Sequence, residues 1–565
     1  MRKLLLPLVL VVLAGGYFWI LPPAAAVAPA AAESMRPAVR GAIHVHTRRS
    51  DGTGTIDDVA AAAERAGLDF VILTDHGNGT TAPEPPNYHG RVLVIDGVEV
   101  STTAGHLVAL GLERAPYPLA GEPRDVAEDV NRLGGLTIAA HPESAKPELQ
   151  FGAWDAALGG IEWLNADSEW RDESAFQLLG SLLTYPARRP ESIAALFDRP
   201  VRELARWDDL LKARRRITGV AAADAHARIG LRTLGEPYDT RVTLRIPSYE
   251  SMFRTFSLAL PDLQLTRDAT ADAAAVLAAI RRGQLYSRID AVMQGGAFAF
   301  TARSGGNVAT PGGSLALDGP VTLRIDAVAP ETAVVVIIRD GVEVRRSDGS
   351  PIEEVVPPIP AAYRVELRMS GAPGEPPIPW LVSNPIYVGW PEPLPAALGS
   401  PAPATTNEVL YRDAPSTTAR VEQSPDSQGA IDIVPEVEGR QLLFRYAVGG
   451  KLSDSPYVAL TLPVQDVGRF TRVSFTARAD HPTRVAVQLR VPGGPLGERW
   501  RRSIYLDESV KTITINFSDM TSVTTGLREQ PPLERIDSLL FVADAVNTPL
   551  GGSGTIWLRD IRFER

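Results

Sequence analysis

The 565-residue sequence contains no cysteine. Disulfide bonds, zinc–thiolate sites and cysteine nucleophiles are therefore excluded, and any metal ion must be held by histidine, aspartate or glutamate. Positive charge is also scarce, because 57 lysines and arginines face 67 acidic residues, for a formal net charge of −10. A net negative charge does not favour binding along the phosphate backbone of a long nucleic acid. A small phosphorylated substrate stays compatible with it, since a bound metal ion supplies positive charge locally.

Long apolar runs are lacking except at the amino terminus. Arg2 and Lys3 precede an apolar run over residues 4–21, and a stretch rich in proline and alanine follows. This order is typical of a secretory signal peptide, with residues 30–32 as a cleavage signature, and the run also approaches bilayer-spanning length. Residues 1–34 are therefore predicted to be a signal peptide or a membrane anchor. In both cases we expect export to the periplasm or cell envelope, with anchoring in the inner membrane through residues 4–21 if the segment is kept.

The length of the chain predicts several domains. Residues 41–295 alternate short apolar strands with helical stretches, which favours an α/β barrel or a doubly wound sheet. Residues 296–390 show strands without helices between them and predict an Ig-like β-sandwich. Residues 391–406 are rich in proline and alanine and predict a linker. Residues 407–565 form a second all-β region, for which we predict a jelly-roll-like domain.

Local signals also predict two individual elements, one in the first region and one in the second. Thr55 followed by Asp58 gives a capping-box pattern, and Gly67 gives a stop signal, so a helix is predicted between Thr55 and Gly67. Asp340-Gly341 between two apolar stretches predicts a β-hairpin.

Side chains that bind metal ions lie at or near the ends of the predicted strands in the first region. The nine candidates are His44, His46, Asp51, His76, Glu99, His106, His141, Asp224 and His226. A lone histidine at such a position is usually a packed core residue. In a closed parallel barrel, however, the strand ends converge on one face, so nine such groups predict a common metal site. Imidazoles and carboxylates without thiolates suit zinc, manganese or iron, and two or three divalent ions are expected.

These motifs resemble those of the PHP (polymerase and histidinol phosphatase) superfamily. The resemblance covers residues 41–228 and depends on an ordered set of segments: His44-Val45-His46-Thr47, Ser50-Asp51-Gly52, Thr74-Asp75-His76, Glu99, His141-Pro142 and Asp224-Ala225-His226. Gly105-His106-Leu107 and residues 382–386 are similar to the branch named after carbaryl hydrolase. The resemblance implies a distorted (β/α)7 barrel that usually holds three metal ions.

The resemblance also implies how the ligands are shared among the ions. His44, His46, Glu99 and Asp224 would hold the first ion. Glu99 would bridge to a second ion held by His106 and His141, and Asp51, His76 and His226 would hold the third. Asp51 stands where some members of the family have histidine.

A hydroxide between two metal ions is the expected nucleophile, because coordination lowers the pKa of water to about 7. Asp224 is a candidate to accept the proton of that water while it binds metal, and Glu99 is expected to bridge two ions. Arg228 and Arg232 could clamp an anionic substrate, or they could simply be solvated. Asp75 is expected to orient a histidine rather than to bind metal.

Several functions fit this site. The favoured one is hydrolysis of a phosphate ester, either a small anionic ester or a short oligonucleotide cleaved as by a 5′–3′ exonuclease, because the superfamily resembles phosphoesterases. One alternative is a carbamate or carboxylic ester hydrolase of the carbaryl hydrolase type. The other is a metal-stabilised envelope protein whose carboxyl-terminal domain binds glycans. Trp380, Trp390 and Trp557 could stack on sugars, although core packing is expected for at least two of them.

Overall fold

The computed structural model describes residues 15–29, 37–228, 246–391, 407–411, 419–436, 439–493, 497–523 and 530–565. Arg232, the cleavage signature at residues 30–32 and nearly all of the predicted linker lie outside these residues, as does most of the apolar run over residues 4–21. Within the described ranges, no helix combines the length and apolar character needed to cross a membrane.

The chain folds as two compact units, and each unit is assembled from three separate stretches of the sequence. The first consists of Met1–Asn78, Ala82–Glu113 and Val130–Pro393, and the second consists of Gly79–Thr81, Arg114–Asp129 and Leu394–Arg565.

Residues 15–20 are helical, and the further α-helices among the described residues are Ile56–Ala66, Pro123–Arg132, Ala166–Arg171, Ala175–Thr184, Arg189–Ala194, Val201–Lys212, Tyr249–Phe253 and Ala269–Arg282. The predicted capping box of the helix Ile56–Ala66 is confirmed. The Thr55 side chain accepts a hydrogen bond from the backbone N–H of Asp58, and the Asp58 carboxylate accepts one from the backbone N–H of Thr55. Gly67 ends the helix with a φ of 79°, a backbone conformation that glycine adopts without strain.

The first part of the first unit builds its strands from short segments, most of which are buried. They are β1 (Ala26–Val27), β2 (Val39–Val45), β3 (Phe70–Leu73), β4 (Asn87–His89), β5 (Val92–Asp96), β6 (Val98–Thr102), β7 (Gly105–Leu110), β8 (Leu136–Ala139), β9 (Gly160–Asn165), β10 (Thr218–Ala222), β11 (Ser257–Leu260) and β12 (Tyr286–Arg288). One sheet has the order β10-β9-β8-β7-β6, and another contains β12-β11-β2-β3-β5-β4. Apolar side chains from both sheets and from the helix Ala269–Arg282 pack in one core.

Backbone hydrogen bonds connect both edges of the sheet β10-β9-β8-β7-β6 to the other sheet. On one side, the N–H of Ala223 donates to Ile43 and the N–H of Ala225 donates to His44. On the other side, the N–H of Gly77 donates to Glu99. Since β5 continues through Gly97 into β6, the strands β2, β3, β5–β6, β7, β8, β9 and β10 are linked in a ring.

The remaining strands of the first unit form β structure without helices between them. They are β13 (Met293–Gln294), β14 (Phe298–Ser304), β15 (Asn307–Ala309), β16 (Ser314–Leu315), β17 (Val321–Ala327), β18 (Val334–Arg339), β19 (Val342–Asp348), β20 (Ile352–Val356), β21 (Ala361–Arg368), β22 (Leu381–Ser383) and β23 (Ile386–Val388). The predicted hairpin is confirmed, because β18 and β19 pair around Asp340 and Gly341, both with positive φ. The strand β22 pairs with β12, so one sheet continues across residue 295.

A network of buried charges stabilises this part of the first unit. The guanidinium of Arg364 donates to both oxygens of Asp208, at 2.9 and 3.1 Å, and to Glu366 at 2.7 Å. Glu366 also accepts hydrogen bonds from Arg199 and Arg368. Each charge therefore faces an opposite charge, which is the condition under which buried ions are tolerated.

The second unit is a β-sandwich, which confirms the predicted all-β character of the carboxyl-terminal region. Its strands are β24 (Asn407–Tyr411), β25 (Arg420–Gln423), β26 (Gln428–Glu436), β27 (Gly439–Ala447), β28 (Tyr457–Pro463), β29 (Arg472–Ala479), β30 (Thr483–Val491), β31 (Glu498–Leu506), β32 (Lys511–Asn516), β33 (Thr521–Ser522), β34 (Ser538–Asp544) and β35 (Ser553–Glu564). One sheet has the order β26-β27-β35-β29-β32, with β24 also on β35, and the other has the order β25-β28-β34-β30-β31-β33. Apolar side chains from both sheets form a single core.

The segment Arg114–Asp129 is an integral part of the second unit. The buried guanidinium of Arg484 on β30 donates to Asp129 Oδ2 at 2.7 Å and to Glu128 Oε2 at 3.1 Å. The side-chain amide of Asn547 donates to the carbonyl of Pro118 at 2.9 Å. An early segment of the sequence thus supplies the anions that neutralise a late, buried arginine.

Candidate metal centre

The structure gathers the nine predicted ligands in one place, where the strands of the ring end. His44 lies on β2 and Glu99 on β6, while His76 follows β3 and His141 follows β8. Asp224 and His226 follow β10, and Asp51 lies in the loop after β2. Most of these side chains are buried.

His106 on β7, like Glu99 on β6, lies near the start of its strand and not at its end. The strand β7 is antiparallel to both of its neighbours, β6 and β8, whereas β2, β3, β5, β8, β9 and β10 run in parallel pairs. An antiparallel strand brings its amino-terminal end to the face where parallel strands bring their carboxyl ends. The position of His106 in the sequence follows from this reversal.

The backbone is bent into unusual conformations at three of these residues. His44, His141 and Asp224 have φ values of 64°, 30° and 43°. Residues other than glycine rarely adopt positive φ, and such strain is concentrated at functional sites. At His44 the bend coincides with a register shift between β2 and β3. Simple strand alternation therefore does not describe how His44 and His46 are both directed inward.

Glu99 lies at the centre of the cluster. Its Oε1 is 2.7 Å from His106 Nδ1 and 2.9 Å from His141 Nε2. Its Oε2 is 3.2–3.3 Å from Nε2 of His44, Nε2 of His46 and Nδ1 of His76. One carboxylate thus faces five imidazoles.

Asp224 completes the arrangement around His44 and His46. Its Oδ1 lies 3.4 Å from His44 Nε2 and 3.3 Å from His46 Nε2. These two nitrogens are buried and have no hydrogen-bond partner among the described residues. Buried polar atoms in folded proteins nearly always find a partner, so a missing partner points to an unfilled function of these atoms.

Asp51 forms the other end of the cluster. Its carboxylate lies 3.3 Å from His46 Nδ1, 3.1 Å from His226 Nε2 and 3.9 Å from His76 Nε2. Arg228 donates from Nη2 to Asp51 Oδ2 at 3.1 Å, so this arginine is paired with a candidate ligand instead of being solvated.

These donors fit divalent metal ions. Three sets of ligand atoms converge closely enough to hold an ion: His46, Asp51, His76 and His226; His44, His46 and Glu99; and His76, Glu99 and His106. Neighbouring ligands of a tetrahedral zinc ion, with bonds of about 2.1 Å, lie about 3.4 Å apart. The separations of 3.2–3.4 Å between Nε2 of His44 or His46 and the carboxylates of Glu99 and Asp224 agree with that distance.

The histidines and carboxylates of the cluster shift one another's pKa values. Burial alone would lower the pKa of His44, but the carboxylates of Asp224, Glu162 and Glu99 raise it well above its usual value. Burial would raise the pKa of Glu99, yet the surrounding histidines lower it well below its usual range. Burial lowers the pKa of His76 to about 4. The carboxylates are thus ionised, as metal ligands must be.

The sequence analysis missed Glu162 and Asn165 on β9. Glu162 Oε1 lies 2.6 Å from His44 Nδ1, and its Oε2 accepts from the N–H of His141 at 2.7 Å. Asn165 donates to the same Oε2 at 2.7 Å. A carboxylate that fixes the far nitrogen of a ligating histidine is common at metal sites. The sequence did contain a signal for Glu162, because a glutamate inside the apolar strand Gly160–Asn165 would be an energetically costly buried charge unless it had a partner.

Asp75 does not take the role predicted for it. Its carboxylate accepts hydrogen bonds from the N–H of Thr47 at 2.7 Å and from Ser50 Oγ at 2.7 Å, and Arg49 also donates to it. Asp75 therefore fixes the loop that carries Asp51. Gly52 is required in this loop because a Cβ there would lie 2.2 Å from the carbonyl oxygen of His46.

The two remaining histidines lie outside the cluster. His89 pairs with Asp57, and His481 pairs with Asp480 in the second unit. Of the three tryptophans considered for sugar stacking, Trp380 and Trp390 are buried, as expected for core residues. Trp557 is only partly buried, and the guanidinium of Arg478 lies 3.7 Å from its ring centre.

A cavity of about 280 Å³ lies beside the cluster. Its walls are mainly apolar and include Trp170, Leu178, Leu182, Phe197, Met252 and the side chain of Arg228. Because Arg228 also binds Asp51, the cavity and the cluster share one wall residue.

No family model matches the sequence, and no curated protein matches it. Among solved structures, a family 11 carbohydrate-binding module of a cellulosomal cellulase of Clostridium thermocellum is similar over 29% of this chain and 96% of the module, with 19% identity and a TM-score of 0.25. A family 30 carbohydrate-binding module from the same organism is similar over 28% of this chain and 96% of the module, with 10% identity and a TM-score of 0.22. Scores of this size do not establish a shared fold, so the description of the second unit as a β-sandwich depends on its own strands.

Proposed function

We propose that the chain is a metal-dependent hydrolase whose metal centre is the cluster around Glu99. The proposal is carried by one observation, the buried Nε2 atoms of His44 and His46 that face carboxylates without a hydrogen-bond partner among the described residues. Two or three ions of zinc, manganese or iron suit a donor set of imidazoles and carboxylates without thiolates.

The residues of the chain have separate tasks in this proposal. The three converging sets would hold the ions, with His46, His76 and Glu99 each belonging to two sets. When bound, such ions lower the pKa of water and neutralise the charge that develops on an ester during hydrolysis. Asp224 is ionised, because nearby histidines hold its pKa well below its usual range despite burial, and an ionised carboxylate oxygen is the form that can receive a proton from water. Glu162 holds the His44 ring so that Nε2 is directed at the cluster.

We also propose that residues 41–295 form the distorted (β/α)7 barrel of the PHP superfamily. The support is the ring in which β2, β3, β5–β6, β7, β8, β9 and β10 are linked by pairing and by hydrogen bonds beyond the strand ends. The reversed strand β7 is the main departure from a uniform parallel barrel.

A phosphate ester is the favoured substrate, either a small ester or the end of a short oligonucleotide. Asp51, His76 and His226 supply a complete additional ligand set, which suits a substrate that brings negative charge. Arg228 lies beside this set and adds a second positive group.

A carbamate or carboxylic ester is the second candidate substrate. The apolar cavity beside Arg228 supports it, because a neutral ester with an apolar substituent needs such a pocket more than it needs additional charge.

Glycan binding by the second unit is a third candidate, independent of the metal centre. Its support is Trp557, a partly exposed tryptophan on β35 that offers a ring next to Arg478. An aromatic ring beside a polar group is a common element of a sugar site. Isothermal titration with soluble β-glucans, comparing the native chain with Trp557→Ala, tests this role without reference to hydrolysis.

The hydrolase proposal is tested by assaying the full-length chain, loaded with zinc or manganese, on aryl phosphate monoesters, phosphate diesters, short oligonucleotides and aryl carbamates. We expect a phosphate ester to be cleaved, and Glu99→Gln to abolish cleavage and to remove at least one bound ion. His89→Gln, which changes a histidine outside the cluster, should keep both.

Two results would contradict the proposal. A chain that retains only trace metal after loading has no such centre. A chain that binds metal normally but hydrolyses none of these esters is not the hydrolase that we propose. Cleavage of carbamates alone would move the conclusion to the second substrate.

A further inference from the structure

The helix Ala175–Thr184 is apolar and uncharged, and more than half of its residues are exposed. Its sequence is AFQLLGSLLT, and Thr184 is its only fully buried residue. Phe176, Leu179 and Leu183 are 88%, 52% and 52% exposed. Residues spaced by three and four positions share one face of a helix, so these three side chains form a continuous apolar stripe. Contiguous exposed apolar surface marks an interaction site in soluble proteins.

A second exposed apolar segment lies beside this helix. Residues 15–20 are helical, and Phe18 and Trp19 are 71% and 89% exposed. Tyr17 Oη donates to the carbonyl oxygen of Leu183 at 3.3 Å, and Arg188 donates to the carbonyl oxygen of Pro22. We call the combined surface of Phe18, Trp19, Ile20, Phe176, Leu179 and Leu183 the apolar patch.

The sequence before the apolar patch identifies what covers it. Residues 4–21 form an apolar run close to the length of a bilayer core, and Arg2 and Lys3 precede it. The carboxyl end of this run is the segment whose Tyr17 is hydrogen-bonded to the helix at Leu183. A bilayer that receives the run must therefore lie next to Phe176, Leu179 and Leu183.

The residue types of the apolar patch suit a membrane surface. Tryptophan and phenylalanine are favoured where acyl chains meet headgroups, and short apolar helices bind there in the plane of the surface. Arg188 and Arg189 follow the helix and can approach anionic headgroups.

We propose that the helix Ala175–Thr184 docks on the surface of a lipid bilayer, with the apolar patch at the boundary between headgroups and acyl chains. This contact is additional to anchoring by residues 4–21, because it fixes the orientation of the first unit on the membrane. It also brings the membrane to a helix that contributes Leu178, Leu179 and Leu182 to the wall of the cavity beside Arg228. The docking does not depend on the proposed hydrolase activity.

The absence of cysteine allows a site-specific test in the full-length chain. Phe176→Cys and Leu179→Cys each provide a single position for a polarity-sensitive fluorophore. Val342→Cys on β19 is a matched control, since Val342 is an apolar residue that is 60% exposed. Each labelled protein is mixed with vesicles of phosphatidylethanolamine and phosphatidylglycerol, and quenching by aqueous iodide is compared with quenching by brominated lipid.

We expect vesicles to shift the emission of the labels at positions 176 and 179 to the blue, to protect them from iodide and to expose them to brominated lipid. The label at position 342 should stay accessible to iodide. Failure of the protein to bind vesicles, or labels that stay accessible to iodide on vesicles, would overturn the proposal. Equal protection at position 342 would show unspecific adsorption, and protection at positions 176 and 179 without vesicles would show a second copy as the partner. Both results contradict docking on lipid.

Discussion

Two of the buried clusters of charge in the first unit differ in one respect. Around Arg364, the charges of Asp208, Glu366 and Arg199 face opposite charges at hydrogen-bonding distance. Around Glu99, carboxylates and imidazoles also converge, but Nε2 of His44 and Nε2 of His46 have no hydrogen-bond partner among the described residues.

This difference separates a structural cluster from a binding site. A buried charge network that satisfies itself only has to stabilise the fold. In the other kind of network, buried nitrogens directed at one set of oxygens lack hydrogen-bond partners. Such a network lowers the stability of the fold unless a bound species supplies the missing contacts. The comparison predicts that damage to the first cluster lowers stability directly, whereas damage to the second acts through what it binds.

The largest effect is expected from Arg364→Met. Removing the guanidinium leaves Asp208 without its bidentate partner in a buried position, which should cost about 3–5 kcal/mol in the free energy of unfolding. Urea denaturation followed by tryptophan fluorescence measures the change. Arg324→Met, which removes an exposed arginine bound to Asp326 and Glu353, is the control and should leave the midpoint unchanged. Equal losses in both variants would mean that burial does not distinguish these pairs.

The next effect concerns Glu99→Gln and should depend on metal. Zinc at about 100 times its dissociation constant should stabilise the native protein by about 2.7 kcal/mol, because the ion binds only the folded state. The variant should lose most of this increment, as seen in urea midpoints with and without zinc. His481→Gln should behave like the native chain. If Glu99→Gln gains as much stability from zinc as the native chain, Glu99 is not a ligand.

A smaller effect is expected from Glu162→Gln, which changes the orientation of a ligand and not the ligand itself. Losing the carboxylate that holds His44 Nδ1 should weaken metal binding about 10–100-fold. Saturating metal should still restore the full number of ions, as shown by titration and elemental analysis. Glu169→Gln, a change at another buried glutamate, should leave the affinity unaltered. Loss of an ion even at saturation would assign Glu162 to the metal itself.

The smallest effect involves a half-buried carboxylate that belongs to neither cluster. Burial, with a contribution from the charge of Glu143, raises the pKa of Glu203 from 4.5 to about 7. The folded protein therefore binds this proton more tightly than the unfolded chain. The stability that results is present below the unfolded pKa and is lost as the pH rises through about 7. Urea midpoints should thus fall between about pH 5 and about pH 8. Glu203→Gln should flatten this fall, and an identical pH profile would refute the assignment.

Local signals in the sequence predicted local structure well. The cap at Thr55, the stop at Gly67 and the hairpin at Asp340-Gly341 depend on neighbouring residues only, and the structure confirms all three. The position of the candidate ligands at strand ends could also be read from the sequence, because polar residues there interrupt apolar runs.

Features that depend on distant parts of the chain could not be predicted. Glu162 belongs to the site only because β9 brings it to His44, which is 118 positions away. The positive φ of His44 and Asp224 reflects hydrogen bonds between β2 and the residues after β10, and no local pattern signals them. The place of Arg114–Asp129 in the second unit was missed for the same reason, since these residues read as part of the first region.

The place of Arg114–Asp129 in the second unit affects the order in which this unit can fold during synthesis. Asp129 and Arg484 are hydrogen-bonded although 355 positions separate them. At a synthesis rate of about 5–20 residues per second, Asp129 leaves the ribosome about 20–70 s before its arginine exists. The second unit thus cannot complete its folding as its own strands emerge, and it must recover a segment made much earlier. A chain that is cut before residue 394 would be missing the arginine, and a chain that starts there would be missing its anions.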